Sequence, residues 1–145
     1  MHRRRIALVG FVVLAVGSAA CGGLSASNRP QHATDYASVL DHLRAAGLSA
    51  EPGEEVEQPF LAVTGRMIQV RGGDVQVFSY SDPAAAAAQA ARISADGATV
   101  GTANIHWIGP PHFYRHGVIL VVYVGDDAQV LRALESALGP QFAGR

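Results

Sequence analysis

Hydrophobic residues recur along this chain in two periods, one typical of helices and one typical of strands. After residue 34 they are spaced three and four positions apart, which places them on one face of a helix. Thr34 or Asp35 can cap this helix, and Gly47 can end it. The pattern therefore predicts a helix that buries one stripe, made of Tyr36, Val39, Leu40 and Leu43.

The segment GRMIQVRGGDVQVFSY, residues 65–80, alternates between apolar and polar positions as a β-hairpin does. A two-residue turn at Gly72-Gly73 supplies positive φ without steric cost. That turn predicts Arg71 opposite Asp74, and it collects four apolar side chains on one face: Ile68, Val70, Val75 and Val77.

The rest of the chain alternates between further helices and strands. Residues 81–97 predict an alanine-rich helix with Ser81 or Asp82 as its cap and Pro83 in its first turn. Two strands are expected at 103–108 and 118–124, and the second is apolar on both faces and so central. A last helix is expected after Asp126, with four residues turned inward: Val130, Leu131, Leu134 and Leu138. EPGEEVEQP, residues 51–59, lacks the ligand spacing of a calcium loop and is interpreted as a solvated loop.

This order of elements predicts one domain over residues 34–145. Its fold class is α+β, with a mostly antiparallel sheet of about four strands and helices packed on the sheet.

The N-terminus has the order of an export signal. A basic start is followed by an apolar run from Ile6 to Val16 and then by small residues. The run is shorter than the roughly 20 residues that cross a bilayer, which favours a signal peptide over residues 1–20.

Cys21 is the only cysteine and follows the small residues directly. Here the chain resembles the lipobox of bacterial lipoproteins, in which this cysteine carries the lipid. Ala19 and Ala20 fit that pattern, whereas Ser18 stands where an aliphatic residue is usual and also suits an ordinary signal-peptidase site. The resemblance implies a membrane anchor through a lipid on Cys21, with plain secretion as the alternative. The polar stretch after it predicts a flexible tether over residues 21–33.

The domain itself resembles a group of small bacterial lipoproteins in four segments: VQVFSY, PPHFYRHG, VVYVGDD and LGPQF. The resemblance covers nearly all of the mature chain but contains no mechanistic motif. It therefore transfers no functional residue to this chain.

Charge narrows the possible partners. Without the signal peptide, eight arginines remain against twelve carboxylates, a formal charge of −4. No basic stripe is left to bind a phosphate backbone, so nucleic acid is not an expected partner.

HWIGPPHFYRHG, residues 106–117, contains three of the six histidines and the only tryptophan. In an extended chain His112 and His116 lie about 13 Å apart, too far to share an ion, so no metal site is expected there. No motif places a nucleophile or an acidic pair beside these histidines, so no catalytic residue and no cofactor are expected. We interpret the stretch as a proline-stiffened loop that either packs down or presents a binding surface. That surface would comprise Trp107, His112, Phe113, Tyr114, Arg115 and His116, continued by Met67, Phe78 and Tyr80.

The sequence thus predicts a lipid-anchored or secreted domain of the cell envelope. Its expected role is non-catalytic binding of an envelope protein or a small ligand. Metal binding through histidines is the first alternative, and a small hydrolase is the second.

Overall fold

The computed structural model describes residues 31–145. The predicted signal peptide, Cys21 and most of the predicted tether lie outside the described residues. Within 31–145 the chain forms three helices, which are α1 (Tyr36–Ala45), α2 (Pro83–Ala90) and α3 (Ala128–Leu138). It also forms eight strands, which are β1 (Glu51–Val56), β2 (Gly65–Val70), β3 (Gly73–Ser79), β4 (Thr99–Val100), β5 (Ala103–Asn104), β6 (Pro111–His116), β7 (Ile119–Val124) and β8 (Ala143–Gly144).

Six of these strands form one sheet in the order β1-β2-β3-β7-β6-β8, and every pairing in it is antiparallel. β4 and β5 form a separate two-stranded sheet. The α+β class and the antiparallel sheet are confirmed, whereas the expected four strands are too few. The central position predicted for the strand at 118–124 is also confirmed, because β7 lies between β3 and β6.

The helices begin where the sequence places a capping carboxylate. The side chain of Asp35 accepts a hydrogen bond from the Ser38 amide at 2.8 Å, and this bond holds the pKa of Asp35 below its usual value. The predicted stripe of α1 is buried at Val39, Leu40 and Leu43. At α3 the cap is Asp127, one residue later than expected, because its carboxylate accepts from two backbone amides of the first turn.

α2 ends at Ala90, several residues before Gly97. The chain then turns so that Ile93 forms a β-bridge with Val100, and both side chains are buried. Helix propensity alone would have continued the helix, but burial of these two residues requires the turn.

The hairpin of β2 and β3 has the expected faces but a different turn. Its turn residues are Arg71 and Gly72, so Val70 pairs with Gly73 and Ile68 pairs with Val75. The pairing shifts by two residues, which leaves every side chain on its predicted face. Gly73 belongs to the strand, where a Cβ atom would lie 2.9 Å from the Val124 carbonyl oxygen of β7. Gly73 also has a φ of +137°, so both its backbone conformation and the close approach of β7 favour glycine at this position.

Three segments differ from their prediction. The strand expected at 103–108 is reduced to β5, and the proline-rich stretch expected as a loop is instead β6, paired on both sides. Pro111 is the first residue of that strand, a position where its missing N–H is tolerated. The acidic segment expected as a loop is the edge strand β1, although its four glutamates are exposed as a solvated segment requires.

The two faces of the sheet are covered differently. The helix face packs against α1 and α3, and its main sheet residues are Ile68, Val75, Val77, Tyr114, Ile119, Val121 and Tyr123. The loop face packs against α2 and against residues 57–64 and 98–110, and its main sheet residues are Phe78, Phe113, Leu120 and Val122.

Residue 33, just before the predicted start of the domain, packs against α3. Ala33 is fully buried, and its amide donates to the Ala137 carbonyl at 2.7 Å. Residues 31–33, which the sequence assigned to the tether, therefore contact the folded domain. None of the helices in the described part is long and apolar enough to cross a membrane.

Candidate functional site

Strand β6 carries most of the residues that the sequence nominated for binding. His112, Phe113 and Tyr114 are at most 5% exposed, whereas Arg115 is exposed and His116 is half-buried. A strand paired on both sides turns its side chains alternately into the two covered faces, which explains this burial. The sequence left two possibilities for these rings, packing into the domain or forming an exposed binding surface. The rings of Phe113 and Tyr114 pack into the domain.

Most of the proposed continuation of that surface is buried as well, and only Met67 is half-buried. Phe78 is fully buried on the loop face, and Tyr80 is 8% exposed. The Tyr80 hydroxyl has no hydrogen-bond partner, and burial raises its pKa to about 12. A partner that approaches this region meets Arg115 and His116 but not the aromatic rings.

His112 is held inside the domain by a side chain far along the sequence. Its Nδ1 lies 2.7 Å from the Gln141 amide oxygen, and its ring stacks on Tyr123 with ring centres 6.1 Å apart. Because that oxygen only accepts, Nδ1 donates, and the buried Nε2 has no partner. His112 is therefore part of the packed interior of the domain and is not accessible to a ligand. His116 lies four residues further along the same extended strand, about 13 Å away, so the two histidines share no ion.

The accessible apolar surface lies just before β6, in the segment 105–110, which we call the Trp107 loop. Trp107 is half-buried, and its ring meets Phe60 and Phe113 edge-on at 5.6 and 5.7 Å. Its indole N–H donates to the Gly97 carbonyl at 2.8 Å. Ile108, the next residue, is 102% exposed. A firmly held indole thus stands beside a fully solvated aliphatic side chain.

Two clefts flank the Trp107 loop. One, of about 320 Å³, is lined by Trp107 and Ile108 together with Phe60, Gln76 and Val124. The other, of about 440 Å³, is lined by Trp107 together with Asp96, His106, Pro110 and Arg145. Both combine an apolar wall with a few polar groups, which is the usual composition of a recognition surface.

A pair of histidines lies at the other end of β6. The ring centres of His32 and His116 are 4.6 Å apart, and their planes are inclined by 37°. Burial lowers the pKa of His116 below its usual value, and the nearby His32 and Arg115 lower it further. Within residues 31–145 no group of three or more His, Cys, Asp or Glu side chains is placed to hold a metal ion.

Comparison of the chain with protein-family models, with curated proteins and with solved structures gives no significant match. Any functional assignment therefore depends on the sequence and on the geometry of the described domain.

Of the nominated residues, the structure places only Trp107 at an accessible apolar site. Ile108 was not predicted at that site, because residues 103–108 were expected to form a strand, and Phe60 lies in a segment for which no element was predicted. The Gly109-Pro110-Pro111 sequence was the available signal, since proline is tolerated at the first position of a strand and glycine favours a turn before it. No comparable signal predicts contact between His32 and His116, which are 84 positions apart.

Proposed function

We propose that this chain is an exported domain, anchored by a lipid on Cys21, that binds another protein of the cell envelope through the Trp107 loop. The full exposure of Ile108 beside the ordered ring of Trp107 is the observation that carries the proposal. A single exposed aliphatic residue is common on protein surfaces. An exposed aliphatic residue that lines a cleft beside a tryptophan is typical of the centre of an interface.

The loop is suited to binding because it is already ordered. The indole N–H bond to Gly97 and the edge-on contacts of the ring with Phe60 and Phe113 fix Trp107 from three sides. A partner would therefore bury apolar area without first ordering these side chains, which reduces the entropic cost of association. The polar groups Gln76 and His106 lie at the edges of the clefts and can form the rim of the interface.

The position of the loop favours a protein partner over the bilayer that holds the anchor. Residues 31–33 join the domain at the His116 end of β6, and the Trp107 loop precedes the opposite end of this strand. Five residue steps of about 3.3 Å separate the two strand ends by about 17 Å. An anchor that precedes residue 31 would thus enter the domain at the end of β6 that lies opposite the Trp107 loop.

The anchor is tested by mass spectrometry of the protein isolated from its native membranes. We expect a mature chain that begins at Cys21 and carries diacylglycerol, and a Cys21→Ser variant that leaves the membrane fraction. An unmodified Cys21 thiol, or a mature N-terminus beyond residue 21, would contradict the anchor and leave a secreted domain.

The binding surface is tested by placing a photo-crosslinking residue at position 108 in intact cells. Position 135, on the exposed side of α3, is the matched control on the helix face. We expect one defined adduct from position 108 and none from position 135. Added purified domain should suppress the adduct, whereas added Ile108→Ser domain should not. Equal adducts from both positions, or equal suppression by both proteins, would refute the surface.

A further inference from the structure

The two histidines His32 and His116 have the ring spacing of a ligand pair. His32 is exposed and His116 is half-buried, so solvent reaches both rings. We propose that His32 and His116 together bind a late first-row divalent metal ion of the copper type. The ion would cross-link residues 31–33 to β6. This site is separate from the Trp107 loop and does not depend on the proposed function.

The distance between the rings fits two ligands of one ion. A metal–nitrogen bond is about 2.0–2.1 Å, and the ring centre lies about 1.1 Å behind the nitrogen, so imidazoles in neighbouring coordination positions have centres about 4.5–5.2 Å apart. The observed separation is 4.6 Å, near the value for a right angle at the metal. The inclination of 37° keeps the rings from stacking face to face.

Both ligands are held in place by contacts that do not involve the metal. The Ala33 amide donates to the Ala137 carbonyl at 2.7 Å, which fixes the residue after His32. The Gln31 carbonyl oxygen lies 2.8 Å from Nε2 of His42, which fixes the residue before it. His116 ends β6 and pairs with Ile119 of β7. The ion would therefore bind a pair that is already positioned, rather than order a free segment.

The chemistry of the pair selects the class of metal. Imidazole nitrogens favour copper, nickel and zinc over magnesium and calcium, and among the divalent ions copper binds a given nitrogen site most tightly. Two protein ligands leave coordination positions for water, which a tetragonal copper ion accepts. Structural zinc sites, in contrast, use four protein ligands.

The test is titration of the purified full chain with Cu²⁺ alone, followed by calorimetry and by electron paramagnetic resonance. We expect one ion per chain and a spectrum that shows two imidazole nitrogens. His32→Ala and His116→Ala should each weaken the affinity at least tenfold. His106→Ala, which removes an exposed histidine from the Trp107 loop, is the matched control and should leave the affinity unchanged. The reference chain and every variant carry Cys21→Ser and His2→Ala, because a free thiol reduces Cu²⁺ and an N-terminal amine followed by a histidine binds Cu²⁺ by itself.

An affinity unchanged in His32→Ala, or lowered equally by His106→Ala, would overturn the site. Far-UV circular dichroism establishes that each variant is folded. If His116→Ala does not fold, the His32→Ala variant tests the site by itself, because His32 is exposed and its side chain is not part of the core. Hydrogen exchange provides a second readout, because Cu²⁺ should slow exchange at residues 31–33 in the reference chain and have no effect there in His32→Ala.

Discussion

The helix face and the loop face of the sheet contain similar apolar side chains, but different kinds of structure cover them. On the helix face, α1 and α3 satisfy most of their own backbone hydrogen bonds and contribute regular apolar stripes. On the loop face, α2 is short, and much of the cover is irregular chain from 57–64 and 98–110. Irregular cover must find hydrogen-bond partners elsewhere for its backbone groups.

Side chains supply some of those partners on the loop face. The Trp107 N–H donates to the Gly97 carbonyl, and the buried Gln89 side chain donates to the Phe60 carbonyl at 3.3 Å. The accessible apolar site lies on this face, at the loop that Trp107 holds. Regular helices thus seal one face of this sheet, whereas the face covered by loops is free to present a surface.

The largest expected effect is on the helix face. Leu134→Ala removes a fully buried side chain between α3 and the sheet and should lower the free energy of unfolding by about 3 kcal/mol. Leu131→Ala, at a half-buried position on the same helix, is the control and should lower it by about 1 kcal/mol. Urea denaturation measures both, and equal losses would show that the face is not sealed as described.

A smaller loss is expected on the loop face from Trp107→Ala. The ring is half-buried, so we expect the free energy of unfolding to fall by about 2 kcal/mol, with faster hydrogen exchange at 97–104 and little change in the helices. Trp107→Phe keeps an aromatic ring but loses the N–H bond and should cost about 1 kcal/mol. Exchange that increases equally in α3 and at 97–104 would mean that the two faces open together.

Two tyrosines on opposite faces should respond to the same change with opposite sign. Tyr80→Phe on the loop face removes a buried hydroxyl without a partner and should raise the free energy of unfolding by about 1 kcal/mol. Tyr123→Phe on the helix face removes a hydroxyl that donates to the Gly72 carbonyl and accepts from the Asp127 amide, and should lower it by about 1 kcal/mol. Thermal and urea unfolding of both variants test the contrast, which fails if the signs agree.

The smallest effect on stability is expected from Ile108→Ser. The side chain is fully exposed, so the free energy of unfolding should change by less than about 0.5 kcal/mol. A loss above about 1 kcal/mol in urea denaturation would show that Ile108 packs against the domain. In that case Ile108 would belong to the cover of the loop face rather than to a surface for a partner.

Local patterns predicted those parts of the fold that depend on near neighbours. The caps and stripes of α1 and α3 follow from residues within one or two turns, with an error of one residue at Asp127. The faces of β2, β3 and β7 follow from alternation, which survives a shift of the turn by one residue because the pairing shifts by two. Export and lipidation at Cys21 stay predictions, as does the flexible tether.

The candidate site was predictable only in part. Trp107 was predicted to belong to the surface, but the aromatic rings predicted beside it, those of Phe113 and Tyr114, are buried in β6. Prolines at 110 and 111 favoured a loop, and only the pairing of β6 with β7 and β8 decides that a strand begins there. Tertiary pairing also decides the structure of the acidic segment. Its exposed glutamates favoured a loop, but residues 51–56 pair with β2 and form an edge strand.

The sequence by itself determined the α+β class, the three helices and the alternation of the main strands, since periodicity encodes which face of an element is buried. The tertiary structure decided which segments pair, where α2 ends, and that Ile108 is solvated while His112 is enclosed. It also decided that His32 meets His116. Those outcomes depend on contacts between residues far apart in the chain, such as His112 with Gln141 and Gly73 with Val124, and a local pattern of apolar and polar residues does not record them.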